Sequence, residues 1–295
     1  MSSSGYASFL KAMGHNVCHH AGVYWFDAHP GIYMSFPFQT LVSPEDVVVK
    51  DILNSKGIAL RYPCGVQQGR PSYRIVVNET DYDLSSLTSK ARNQTRRGLE
   101  WCQVQAVSFD QLGNEAIRLN EETLLRQGRT LSKDFKDYWN KYFIQAAQAE
   151  GAEAWGAFVN SQLAAYLIAF RIEGVAHILI VRSARGMLSK YPNNALLFSY
   201  VQSVLKEDSI NEVSIGLESI QGGMASLDKF KAGMGFKKLP IGQRIEFSPW
   251  IKPFLRPSIR KIVLGLADKF ANDNEKLAKF SGMIRWYDEQ ESTHV

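Results

Sequence analysis

The chain has 295 residues, 45% hydrophobic and 12% aromatic, enough to fill the core of one large domain or two of average size. Its formal charge of +5 is too modest for a protein that coats DNA, and suits an anionic small ligand as readily as a plain solvated surface. Three widely spaced cysteines, Cys18, Cys64 and Cys102, with no Cys-x-x-Cys pair, argue against a disulfide framework or zinc knuckle and for a reducing compartment.

In chain order, residues 1–23 read as an N-terminal tail without a secretory signal. His15, His19 and His20 lie there with no carboxylate or cysteine at ligand spacing, so no metal site is expected. Gly31 to Gln39 reads as a strand ending at Pro37. Ser43-Pro44-Glu45 reads as a helix start, with Val47, Val48, Ile52 and Leu53 as its stripe and Gly57 as its end. Ile58 to Tyr62 and Tyr73 to Val77 read as strands joined by a polar loop. From Leu84 a helix carries Lys90, Arg92, Arg96 and Arg97, four cations within eight residues. Gly98 reads as its interruption, and Trp101 to Val107 as a strand.

Phe109 to Gln127 is helical, and Glu122 stands four residues before Arg126, the favourable order for a helical ion pair. The alternative is that both point into a cleft. Asp134 to Ala149 is an aromatic-rich helix. Period-two alternation over Ala154 to Val159, Leu163 to Arg171 and Ala176 to Val181, with turns at Asn160-Ser161 and Glu173-Gly174, predicts a three-strand antiparallel meander. Arg182-Ser183-Ala184-Arg185-Gly186 then leads to a helix starting at Pro192-Asn193-Asn194, an arrangement that offers amide N–H groups to phosphates. Glu212 to Phe247 reads as strand, Gly-rich loop at Gln221-Gly222-Gly223, short helix through Leu227, Phe230 and Met234, and extended structure with a turn at Pro240-Ile241-Gly242. Gly235 is placed to stop the helix. The tail holds an amphipathic helix from Ile259 to Phe270, and the last eight residues read as frayed. All apolar runs are strand-length, so no membrane span is expected, and a cytoplasmic protein is.

This order of elements resembles the GNAT superfamily of N-acyltransferases, and four strings are similar to its Fem-type and BioF2-like branch. They are Ser89 to Gly98, Glu122 to Gly128, Pro192 to Leu197, and Ser226 to Gly235. The resemblance implies a mixed α+β GNAT fold, in tandem in many members. Residues 24–100 would then form a reduced N-terminal copy, 101–248 the acyltransferase domain and 249–295 a helical tail. It also implies an acyl donor lodged where the sheet splays after the meander, with Arg182, Ser183, Arg185, Gly186, Asn193 and Asn194 against it. Many members carry a Gln/Arg-x-x-Gly-x-Gly/Ala loop over the coenzyme A pyrophosphate. Arg182 to Met187 departs from that pattern, so the donor stays open between an acyl-CoA and a charged tRNA.

Acyl transfer to an amine needs deprotonation of the ammonium, donors for the oxyanion and protonation of the leaving group. With no Ser-His-Asp or Cys-His pattern, direct attack is expected. Lys231 stands four residues before Gly235, as in the Fem-type branch, and is the candidate cation. Glu218 and His177 are candidate bases. Glu122, Arg126, Arg92 and Arg96 are candidate substrate contacts. The expected reaction is acyl transfer from an acyl-CoA to a small primary amine, such as an amino sugar or amino acid. The alternatives are a tRNA-dependent aminoacyltransferase and a silent scaffold.

Overall fold

The computed structural model describes residues 2–53, 57–126, 128–220, 225–256, 259–260, 264–265 and 275–292. The elements are α1 (Ser3–Met13), β1 (Val17–His20), β2 (Val23–His29), β3 (Ile32–Phe36), α2 (Val49–Ile52), β4 (Ala59–Cys64), β5 (Arg70–Val77), α3 (Ser89–Trp101) and β6 (Gln103–Val107). Then follow α4 (Phe109–Arg126), α5 (Phe135–Gln148), β7 (Ala152–Val159), β8 (Gln162–Ile172), β9 (Val175–Ser183), α6 (Pro192–Val204), β10 (Glu212–Leu217), α7 (Ala225–Gly233), β11 (Lys237–Phe247) and α8 (Glu275–Ser292). They gather into two compact units. The first takes residues 1–14, 75–216 and 226–237; the second takes 15–74, 217–225 and 238–295. Both units cut across the expected divisions after residues 23, 100 and 248.

In the first unit the strand order is β10-β9-β8-β7-β6. The meander β7–β9 forms as predicted. Its two turns have positive φ at both central residues, 49° and 64° at Asn160-Ser161, 50° and 79° at Glu173-Gly174. That geometry matches strand twist and closes a two-residue hairpin. On one face Tyr166 donates to Asn120 of α4 and meets Phe143 of α5 edge-on. Phe170 on the same face meets Tyr6 and Phe9 of α1. On the other face Trp155 meets Tyr200 of α6, whose hydroxyl donates to Glu153. The expected N-terminal tail is therefore partly a packed helix, with Tyr6, Ala7, Phe9 and Leu10 at most 4% exposed.

The second unit has the strand order β1-β2-β3-β4-β11-β5. Its β1, β2 and β3 are antiparallel, after which β4 pairs parallel to β3 over Ile32 to Met34. Trp25, Tyr33, Leu60 and Tyr62 form one apolar cluster, and Phe247, Met283, Ile284 and Trp286 belong to another. The expected helix from Ser43 shrinks to a 3-10 turn at Pro44–Asp46 and the single turn α2. The reason is local: β-branched Val47 and Val48 between them adopt extended backbone. His15, assigned from sequence to the N-terminal tail, is hydrogen-bonded to Asp27 at 2.9 Å.

Three readings change, two at glycines and one at the end of the chain. Gly98 does not interrupt α3, which continues to Trp101, so β6 begins at Gln103. A Cβ on Gly98 would lie 2.7 Å from the Tyr191 carbonyl oxygen and 3.1 Å from the Ala195 Cβ, so the glycine serves close approach of α3 to α6. Gly98→Ala is expected to cost about 1–3 kcal/mol by overpacking, read as a lowered midpoint in urea unfolding; an unchanged midpoint overturns this. Nor is there a turn at Pro240 to Gly242: β11 runs through it, and a Cβ on Gly242 would meet the Gly65 carbonyl oxygen at 2.2 Å. The frayed end is instead helical to Ser292, and the Gln290 side chain accepts from the Ile245 amide. The expected Ile259–Phe270 helix lies mostly, and Gln221 to Gly223 wholly, outside the described residues. Among the described residues no helix is long and apolar enough to cross a membrane.

Candidate active site

Within the first unit β10 pairs with β9 for three residues only, Glu212 to Ser214 against Val175 to His177. Beyond these residues the two strands no longer pair with each other, although β9 stays paired with β8 to Ser183, so the sheet opens between them. On its other side β9 carries one extra residue. Ala169 faces Ile178 while Ile168 faces Ile180, which leaves Leu179 as a bulge, 37% exposed. The opening holds a cleft of about 470 Å³. Ile178, Leu179, Val181, Ile215, Leu197 and Leu227 make its apolar walls.

Three cations enter this cleft: Arg126 from α4, Arg182 from β9 and Lys231 from α7. Burial lowers the pKa of Arg182, and neighbouring Arg129 and Arg126 lower it further, while Tyr166 and Tyr142 act the other way. Arg182 donates through Nη1 to the Val181 carbonyl at 2.9 Å, but its buried Nε has no partner. The same holds for Thr123 Oγ1 and Asn193 Oδ1, both on residues lining the cleft. Buried polar atoms are nearly always paired, so three such atoms around one cleft make it the candidate site. Burial also pushes the Lys231 ammonium below its ordinary value, opposed by Asp228.

Lys231 sits on a helix fixed at its end. Gly235 takes φ +85°, and the Phe236 amide returns to the Lys231 carbonyl at 3.1 Å. The Tyr82 hydroxyl donates to the Met234 carbonyl at 2.8 Å, and the Thr88 amide to that of Gly233 at 3.0 Å. Gly235 is thus the helix stop the sequence indicated.

Of the residues singled out from sequence, Lys231, Arg182, Ser183, Asn193 and Arg126 meet in this cleft. Asn194 lines a second cleft of about 460 Å³, on the α3 side of α7. Glu122 pairs with Arg118 at 2.6 Å rather than with Arg126, and accepts from the Arg185 amide at 3.1 Å. Gly186 is exposed on a 3-10 turn, Arg185–Lys190. Arg92 is held by the carbonyls of Leu84, Ser85 and Leu87, and Arg96 is exposed on α3. His177 is 1% exposed in the paired part of β9. Glu218 belongs to the second unit, where its carboxylate accepts from Arg70 at 2.8 Å and Ser72 at 2.7 Å. Arg61 of that unit donates to the Glu218 carbonyl, and burial pushes its guanidinium down to about 10. Sequence reasoning missed Thr123, Leu179 and Phe230 as lining residues. Thr123 stands three before Arg126, on one helix face, a signal that was available.

No family model and no curated protein matches the sequence. Among solved structures, FemX matches over 85% of this chain and 93% of its own, with a TM-score of 0.60 at 11% identity. L-PGS from Bacillus licheniformis matches over 83% of this chain and 89% of its own, with a TM-score of 0.52 at 16% identity. The fold is GNAT-like and of the Fem type. At these identities the likeness is one of fold. In this GNAT-like fold the four strings that carried the resemblance fall on α3, the end of α4, the start of α6 and α7. The last three contribute to the cleft in the splay, and the first to the second cleft.

Proposed function

We propose that the chain is an N-acyltransferase that binds its acyl donor in the splay between β9 and β10 and transfers the acyl group directly to a primary amine. The opening of the sheet after Ser214, with Lys231 and unpartnered polar atoms at its walls, carries this reading. The apolar walls suit an acyl arm. The amine nitrogen attacks the thioester carbonyl carbon, and Lys231 offsets the charge that develops on its oxygen. The intermediate then collapses with breakage of the carbon–sulfur bond, and the amine proton leaves with the thiolate. Burial raises the Cys64 thiol to about 12 and raises that of Cys102, so neither is a ready thiolate nucleophile, in keeping with direct attack. None of the described residues lining the cleft is a carboxylate or imidazole, so the acceptor is read as reaching it already deprotonated.

Acyl-CoA is the preferred donor and a small amine, such as an amino sugar or amino acid, the acceptor. A panel of acyl-CoAs tests this by thermal shift. A ligand at 100 times its dissociation constant stabilises by about 2.7 kcal/mol, so a clear rise in melting temperature is expected for at least one acyl length. No rise for any of them removes coenzyme A as donor. A second reading, transfer from a charged tRNA, is favoured by the exposed cations of α3, and would show as RNA-dependent protection that falls with salt.

The second unit reads as the reduced copy of a tandem pair. It repeats an antiparallel trio followed by a strand parallel to the third over three residues. There the Val42 amide bonds the Pro63 carbonyl at 2.9 Å, so the chain itself occupies the edge of β4 beyond that pairing.

A further inference from the structure

We propose that the second cleft, between α3 and α7, is the phosphate-binding half of the donor site, with Lys90 and Lys229 as its cationic contacts. The word donor rests on the acyltransferase reading; the anion specificity does not.

The two clefts share Ser226 and Phe230, which stand one helical turn apart on α7. Lys229 and Lys231 are two residues apart, about 200° around a helix, so one helix sends one ammonium to each cleft. Across from Lys229, Lys90 and Gln94 lie four apart on one face of α3. Thr88 and Asn194 also line this cleft. Its described lining has two ammonium groups, hydroxyls and amides, and no carboxylate. Ammonium groups act as point charges that suit phosphate oxygens. At about 460 Å³ the space takes a nucleotide-sized group.

The place expected from sequence for the phosphates, Arg182 to Gly186, is already in use. The Arg185 amide is given to the Glu122 carboxylate at 3.1 Å. A carboxylate at that loop repels phosphate and takes an amide that phosphate would need. The donor's charged end is therefore directed to the other side of α7, with its acyl end reaching past Phe230 into the splay.

The test is titration calorimetry of the full chain and of Lys90→Ala/Lys229→Ala with coenzyme A, pantetheine, inorganic pyrophosphate and a short single-stranded RNA ending in CCA. Both lysines are exposed, so the variant should fold, checked by its melting temperature. The expected result is at least a tenfold loss of affinity for coenzyme A and pyrophosphate with pantetheine unchanged. The same loss confined to the RNA keeps the site and assigns its phosphates to RNA. The proposal is overturned if wild type binds no phosphate-bearing probe, if the variant binds them all as wild type does, or if pantetheine affinity falls equally. Turnover is read separately: acyl transfer that depends on Lys231, with phosphate binding untouched by the double variant, keeps the acyltransferase and sinks the groove. Phosphate binding lost in the variant of a protein that transfers no acyl group keeps the groove and sinks the acyltransferase.

Discussion

Lys231→Ala is expected to lower turnover of the true donor and acceptor by ~10- to ~10³-fold, the scale of losing one oxyanion contact. It should leave the fold intact. The helix end that holds Lys231 is fixed by the Gly235, Tyr82 and Thr88 contacts, none of which uses the lysine side chain. Its partly buried ammonium already sits below the ordinary value of 10.5, so removing it relieves a desolvation cost. The pH profile separates a catalytic from a structural role. A cation is lost as pH rises through its lowered pKa, so wild-type turnover should fall on the alkaline side, beginning below pH 10.5, and the variant should lack that limb. Below it, turnover should rise with pH as the acceptor amine loses its proton. Unchanged turnover in the variant sinks the Lys231 assignment.

Arg182→Met separates binding from folding in a second way. Burial depresses this guanidinium, two more arginines stand nearby, and its Nε has no protein partner. A cation in that position costs the protein stability unless a ligand engages it. The variant is expected to melt at or above the wild-type temperature and to bind its donor at least ~10-fold more weakly, about 1.4 kcal/mol. A melting temperature several degrees lower with donor affinity unchanged would make Arg182 a structural cation and remove it from the site.

The meander was legible because a period-two pattern and two turns of the right chemistry act locally. So was the helix stop at Gly235. Other features turn on contacts that no local pattern encodes. Gly98 looks like a breaker until α6 is placed against α3, and Gly242 looks like a turn until β4 is placed against β11. The stripe Tyr6, Phe9, Leu10 is helical in spacing, yet its worth depends on Phe170 lying beneath it. The cleft shows the same division. Lys231, Arg182 and Asn193 fall near helix and strand ends that sequence marks. Spacing suggested Glu122 and Arg126 as a helical ion pair, but Glu122 is taken by Arg118 and the Arg185 amide, while Arg126 lines the cleft. Glu218 looked available as a base only while Arg70 and Ser72 were unplaced.

The seating of α1 against β8 has a consequence for the order of events at the ribosome. Tyr6 packs on Phe170, which is made 164 residues later (170 − 6). At roughly 5–20 residues per second, the apolar stripe of this helix stays uncovered for about 8–33 seconds before its strand exists. A nascent chain carrying such a stripe is a ready client for chaperones. Completion of the first unit waits longer still, for the segment bearing Lys231, which is made after β9 and β10.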